Sequence, residues 1–261
     1  MHAVKDGGRF EVAVSVREEH VIGSGMTKQK QERTLYYYAL KKDDQGVGIQ
    51  TLNQNDFPSG ETVVVSDEEF FAKYRPEPLY FYNRVKVAMD QVSQSLEKGD
   101  RALKRGNAKV AEKEFKKALA VDEDNIRAIF GLGGAYLAAG SKDSALEVFE
   151  KIMSLDMSFE PKHKHMFNDF GIRLRKGGLF KEALRYYEKA AAQLKGDDEN
   201  LYFNIGRAYY DLNLMDDAAA WLGKALAANP AFVEARKFLA VIEKDRASGR
   251  PACPEATPAE A

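Results

Sequence analysis

The sequence predicts a mostly α-helical fold: an array of about four helix pairs closed by a capping helix, preceded by a small antiparallel β-rich domain. Three observations predict it. Residues 1–76 alternate apolar and polar side chains with the period of half-buried strands. From 77 to 246, apolar residues step by three and four, the spacing of one helix face. Within that stretch four glycines spaced 34 to 38 residues apart are each followed by an alanine twelve residues on, at Gly99/Ala111, Gly133/Ala145, Gly171/Ala183 and Gly206/Ala218. The helices therefore repeat.

The β-rich part is read element by element. In "RFEVAVSVRE", Phe10, Val12, Val14 and Val16 alternate with Glu11, Ala13, Ser15 and Arg17. "TLYYYALKK" and "GVGIQTLN" flank "DDQG" as a hairpin turning at Gly46, and "ETVVVS" is a fourth strand. Ser66 with Glu69 three residues later is a capping-box pair that starts a short helix carrying Phe70, Phe71 and Tyr74. The preceding stretch "GSGMTKQKQERTLYYYALKK" is read as a solvated basic loop feeding a buried aromatic strand. Its glycine spacing does not match a phosphate loop.

The helical part opens with a long helix on which Tyr82, Val85, Met89, Val92, Leu96, Gly99 and Leu103 share a face. The repeated glycines then recur at spacings of 34, 38 and 35 residues. Each alanine leads a second helix with a large residue four on and an apolar residue seven on: Phe115 and Ala118, Phe149 and Ile152, Tyr187 and Ala190, Leu222 and Ala225. Three residues beyond the last three glycines stand Tyr136, Leu174 and Tyr209.

This pattern resembles the tetratricopeptide repeats, whose signature sets a bulky residue, Gly, Tyr, Ala and Phe on a period of about 34 residues. The resemblance covers residues 92–246, begins at a polar first helix (Ser95, Lys98, Ala102), and carries the family's proline only at Pro230. It implies paired helices A and B, a superhelix, and a concave groove that holds a segment of another protein. By register the groove positions are Ser93, Leu96, Asp100, Leu103 and Lys104, then Arg127, Phe130, Gly134, Leu137 and Ala138. The third repeat adds His165, Asn168, Ile172, Arg175 and Lys176, and the fourth Asn200, Phe203, Arg207, Tyr210 and Asp211. Five are Lys or Arg against two Asp, a basic bias that fits a segment with acidic residues beside apolar anchors. Phe130, Phe203 and Tyr210 are expected to face solvent there unless the N-terminal domain covers them. Asn204 also suits the carboxylate-gripping site of some chaperone-binding members, but Asn168 and Ile172 depart from that motif.

Other site chemistries are weaker. His163 and His165 point about 200° apart on a helix, with no cysteine pair nearby, so they do not make a zinc site. No Ser/His/Asp or Cys/His arrangement is recognisable, no cofactor is implied, and the chain is read as non-enzymatic. Lys and Arg total 39 against 40 Asp and Glu, a balance that argues against a nucleic-acid or membrane-surface partner. A nucleic-acid-binding N-terminal domain built on Lys28, Lys30, Arg33, Lys41 and Lys42 around Tyr36–Tyr38, with the repeats as recruiters, is the first alternative. A chaperone for secretion or folding clients is the second. The single cysteine, Cys253, fits a reducing compartment, and the opening "MHAVKDGGRF" shows no apolar signal region. With no run of roughly 18 apolar residues, the expectation is a cytoplasmic protein. The Ala/Pro-rich residues 247–261 are expected to be disordered.

Overall fold

The computed structural model describes residues 8–22, 29–43, 45–155, 164–193 and 196–248. The expected tail therefore lies almost wholly outside the described residues, as do Lys28, His163 and Cys253. The chain forms two compact units. One holds residues up to Lys98 together with Lys116–Asn125, and the other holds Gly99–Phe115 and the chain from Ile126 onward.

The first unit is built on five antiparallel strands: β1 (Phe10–Ile22), β2 (Gln29–Lys41), β3 (Val47–Leu52), β4 (Pro58–Val65) and β5 (Arg75–Pro76). Their order in the sheet is β4-β3-β2-β1-β5. The β2–β3 turn needs Gly46, which has φ +116°, and a Cβ there would meet the Val65 carbonyl oxygen at 2.4 Å. β1 and β2 pair along their whole length, from Phe10 opposite Lys41 to Ile22 opposite Gln29. Residues 29–33, expected in a loop, thus belong to a strand. The backbone ladder continues where Gln31–Thr34 are exposed, so no burial pattern announced it.

β1 is covered on both faces rather than one. Val12 and Val14 pack with Ala39, Val47, Ile49, Val65 and Phe70, the last from helix α1 (Asp67–Lys73). The Ser66 hydroxyl accepts from the Glu69 amide at 3.1 Å, as the capping pair requires. On the other face Ala13 packs with Tyr38, Phe81 and Val85. Two small residues, Ala13 and Ser15, admit this second layer, and the Ser15 hydroxyl donates to Glu77 at 2.8 Å.

Phe81 and Val85 belong to a five-residue π-turn (Phe81–Val85) that follows one helical turn (Pro78–Tyr80) and leads into α2 (Lys86–Lys104). This turn corrects the expected helix face. Its wider winding puts Phe81, 2% exposed, on the buried side with Val85, and leaves Tyr82 65% exposed. Helix α3 (Ala108–Val121) ends under the β3–β4 loop. There Asn53 and Asn55 donate through Nδ2 to the Val121 carbonyl at 2.7 and 3.2 Å, satisfying helix-end acceptors that have no partner in their own helix.

The second unit continues as helix pairs: α4 (Ile126–Ala139) with α5 (Lys142–Ser154), α6 (Lys164–Lys176) with α7 (Phe180–Gln193), and α8 (Glu199–Asp211) with α9 (Met215–Ala228). Helix α10 (Val233–Ser248) follows. Ala111, Ala145, Ala183 and Ala218 are fully buried, and so are Phe115, Phe149, Tyr187 and Leu222. The glycines permit the close approach: a Cβ on Gly171 would lie 2.5 Å from the Tyr187 ring, and one on Gly99 2.7 Å from Phe115. Gly133 differs, since the ring it accommodates at 2.6 Å is Phe170 of the following repeat. In α10 the residues buried against α9 are Ala235 and Ile242, with Ala240 exposed.

Candidate partner-binding groove

Helices α4, α6, α8 and α10 present the first-helix face of successive repeats, and polar bridges join α6 to α8 and α8 to α10. Arg175 Nη1 donates to Asp211 at 2.6 Å, Asn204 Nδ2 to Asn168 Oδ1 at 3.3 Å, and the Tyr210 hydroxyl to Asp245 at 2.8 Å. These pairs are 35 or 36 residues apart, so the bridges share the period of the repeat.

The predicted groove residues fall into two groups. The first lines a cleft of about 540 Å³ that includes Leu103, Lys104, Arg127, Phe130, His165 and Arg173. Its floor is apolar. Phe130 is 6% exposed, contrary to the expectation that it faces solvent, because its ring meets Phe170 edge-on at 5.7 Å. Two rim cations are already neutralised within the chain: Arg127 pairs with Asp100, and Arg173 with Asp169 at 2.6 Å. His165 is exposed at this rim.

The second group gathers around α8. Phe203 packs on Phe232 and Phe238 with centroids at 5.2 and 6.1 Å, and Tyr210 on Phe238 at 5.0 Å. These two aromatics are half-buried, covered by the last helix of the same unit. Arg207 lies over the Phe203 and Phe238 rings at 5.6 and 5.9 Å. Burial, and then the nearby Arg175 guanidinium, lower its pKa from the usual arginine value. Asn168 and Asn204 stand between the groups and bond to each other, Asn204 being buried. Lys176 is exposed and lines neither cluster.

Sequence reasoning missed Met166, Asp169 and Arg173 on the cleft, and Phe238 beside Arg207. Phe238 had a usable signal, for it stands 35 residues after Phe203, one repeat further on. Met166 and Arg173 had none, since they sit on the flank of α6 and enter the cleft only through the approach of α4.

The first unit has its own hollow of about 770 Å³, lined by Arg9, Phe10, Glu11, Lys41, Lys42, Phe81 and Tyr82 among others. Two of its polar side chains are engaged: Lys41 pairs with Asp67, and Glu11 accepts from the Tyr38 hydroxyl at 3.0 Å. The three tyrosines that could have stacked on bases also have ring partners: Tyr36 stacks on Tyr80 at 4.1 Å, Tyr37 meets Tyr74 and Tyr38 meets Phe81. Among the described residues, no three His, Cys, Asp or Glu side chains gather as a metal site. Nor is any helix there long and apolar enough to cross a membrane.

Comparison with known proteins bears on this geometry. No curated protein matches the sequence. Among solved structures, the chain is similar to a pilF protein of Pseudomonas aeruginosa (20% identity, covering 63% of this chain and 73% of that one, TM-score 0.49). It is also similar to MamA from Desulfovibrio magneticus RS-1 (21% identity, 62% and 89% covered, TM-score 0.48). Overlaps of that depth do not define a fold, so the assignment rests on the sequence. Residues 96–156 and 174–244 each match a family model described as tetratricopeptide repeat, and neither match reaches the sheet. The glycine–alanine period, the helix pairs it produces and both matches agree: over residues 96–244 the chain belongs to the tetratricopeptide-repeat family.

Proposed function

We propose that this chain is a non-catalytic interaction scaffold whose repeat groove holds an extended or helical segment of another protein. The observation that carries the reading is the cleft beside Phe130: an apolar floor of Leu103, Phe130 and Phe170 inside a rim of Lys104, Arg127 and His165. An apolar floor within a polar rim is the composition of a peptide-recognition surface, where a few buried anchors supply most of the affinity. Within this cleft Asp100 and Asp169 offset Arg127 and Arg173, so among its lining residues Lys104 supplies the remaining positive charge. Apolar anchors, with acidic residues as flanking contacts, are the expected ligand chemistry.

Lys104 and His165 are exposed, so their replacement by glutamate should reverse the rim charge without disturbing the core. Partners captured by the wild-type full-length chain and by the Lys104→Glu/His165→Glu variant should be compared, then titrated as purified proteins. The expected result is loss of one or more partners, with affinity reduced about tenfold or more. Identical partner sets at identical affinities would sink the reading.

A further inference from the structure

At the α8 end of the same face stands a half-buried cation with no ion-pair partner of its own among the described residues. Arg175 and Asp211 form a close pair, their side chains only 11% and 17% exposed. That pair is internally neutral. Arg207 beside it makes no ion pair among the described residues, and its guanidinium rests on the rings of Phe203 and Phe238. Under this surface lies Tyr187, fully buried, whose hydroxyl has no hydrogen-bond partner among the described residues. That hydroxyl lies against Gly171 and is near enough to Arg175 and Arg207 for both to act on its ionisation.

Withholding a counter-ion from a partly desolvated cation costs stability, and so does leaving a buried hydroxyl unpaired. A partly desolvated cation without an ion-pair partner, on the predicted groove face, is the mark of a site completed by something else, and the unpaired hydroxyl lies beneath it. We infer that Arg207 receives a carboxylate side chain from the bound protein segment, with Phe203 and Phe238 flanking an apolar residue next to that acid. The charge count selects the anion. One uncompensated guanidinium matches one carboxylate and can grip it through two parallel N–H groups. A doubly charged phosphate would be left half neutralised. The inference rests on the groove reading above and adds to it the position and charge of one contact.

The test uses the full-length chain and an array of degenerate peptides in which one position is fixed as Glu, Gln or phosphoserine. Wild type should retain the Glu-fixed pools about tenfold better than the Gln-fixed pools, the effect of one charge-assisted contact. Arg207→Gln should erase that ratio while still retaining the Gln-fixed pools, and Arg207→Lys should restore part of it. Because the uncompensated charge is a burden to the free protein, Arg207→Gln should also raise the thermal midpoint by about 2 °C or more. A Glu/Gln ratio unchanged in Arg207→Gln overturns the inference but leaves the groove reading intact, and so does a lowered midpoint, which would make Arg207 a structural residue. Preference for phosphoserine overturns the carboxylate assignment. Retention of no peptide by wild type overturns both readings.

Discussion

Gly171 and Gly206 occupy the same place in successive repeats but leave different amounts of room. A Cβ on Gly171 would sit 2.5 Å from the Tyr187 ring, whereas one on Gly206 first meets Leu222 at 3.1 Å. Gly171→Ala is therefore expected to cost about 1–3 kcal/mol, as overpacking does, and Gly206→Ala less; urea unfolding of the two variants checks the order. The glycine–alanine spacing was readable in the sequence because it reports helix–helix distance directly. The burial of Phe130 was not readable, since it depends on how closely the Phe170 ring approaches from the next repeat. Tyr80 supplies a pH signature. Burial first, then its hydrogen bond to Asp56, push its pKa from 10.0 up to about 12. A raised phenol favours the folded state in its neutral form, so this contribution is complete below pH 10 and is lost as pH rises through about 12. Unfolding free energy measured from pH 9 to about 12 should fall less steeply in Tyr80→Phe than in wild type.

Strands and helices were legible where a periodic face or a cap marks them, as with the β2–β3 turn and the Ser66 cap. They were illegible where backbone pairing alone continues them. The outer half of β1 and β2 is such a case: Arg17 faces Thr34 and Glu18 faces Arg33, with no apolar alternation. The end of α3 is another, because the groups that cap it come from the β3–β4 loop, 66 to 68 residues away in the chain. Asn53 also organises that loop, its Oδ1 accepting from the amides of Asn55 and Phe57. Asn53→Ala is accordingly expected to cost about 1–2 kcal/mol. Amide exchange should quicken in the last turn of α3 and in residues 53–57, while the centre of α3 stays protected.

The repeats make the second unit a chain of nearest-neighbour interfaces, and its stability should behave that way. Leu222 is fully buried in the cluster that joins α9 to Ala235 and Ile242 of α10. Leu222→Ala is expected to cost about 2–5 kcal/mol locally. Amide exchange would then show α8–α10 losing protection while α4 and α5 keep most of theirs; uniform loss across the array would contradict this. The family period was legible at this scale because it recurs four times. The compact units were less so. Their division passes through α2 and α3, whose sequences carry one helical pattern throughout.

That helical continuity begins at the π-turn of Phe81–Val85, where the Lys86 amide reaches back to the Phe81 carbonyl. In the language of insertion and deletion, the turn is a slack residue. Removing its extra residue would leave an ordinary α-helix, in which four residues of about 100° each do what five more loosely wound ones do here. The segments before and after the turn would keep nearly the same rotation about the helix axis, and Phe81 its place beneath Ala13 and Tyr38. A gene that loses the codon of one exposed residue here, such as Asn83, would thus keep both its helix and its sheet's second layer. A codon lost from the α-helix that follows would instead turn the two sides by about 100°.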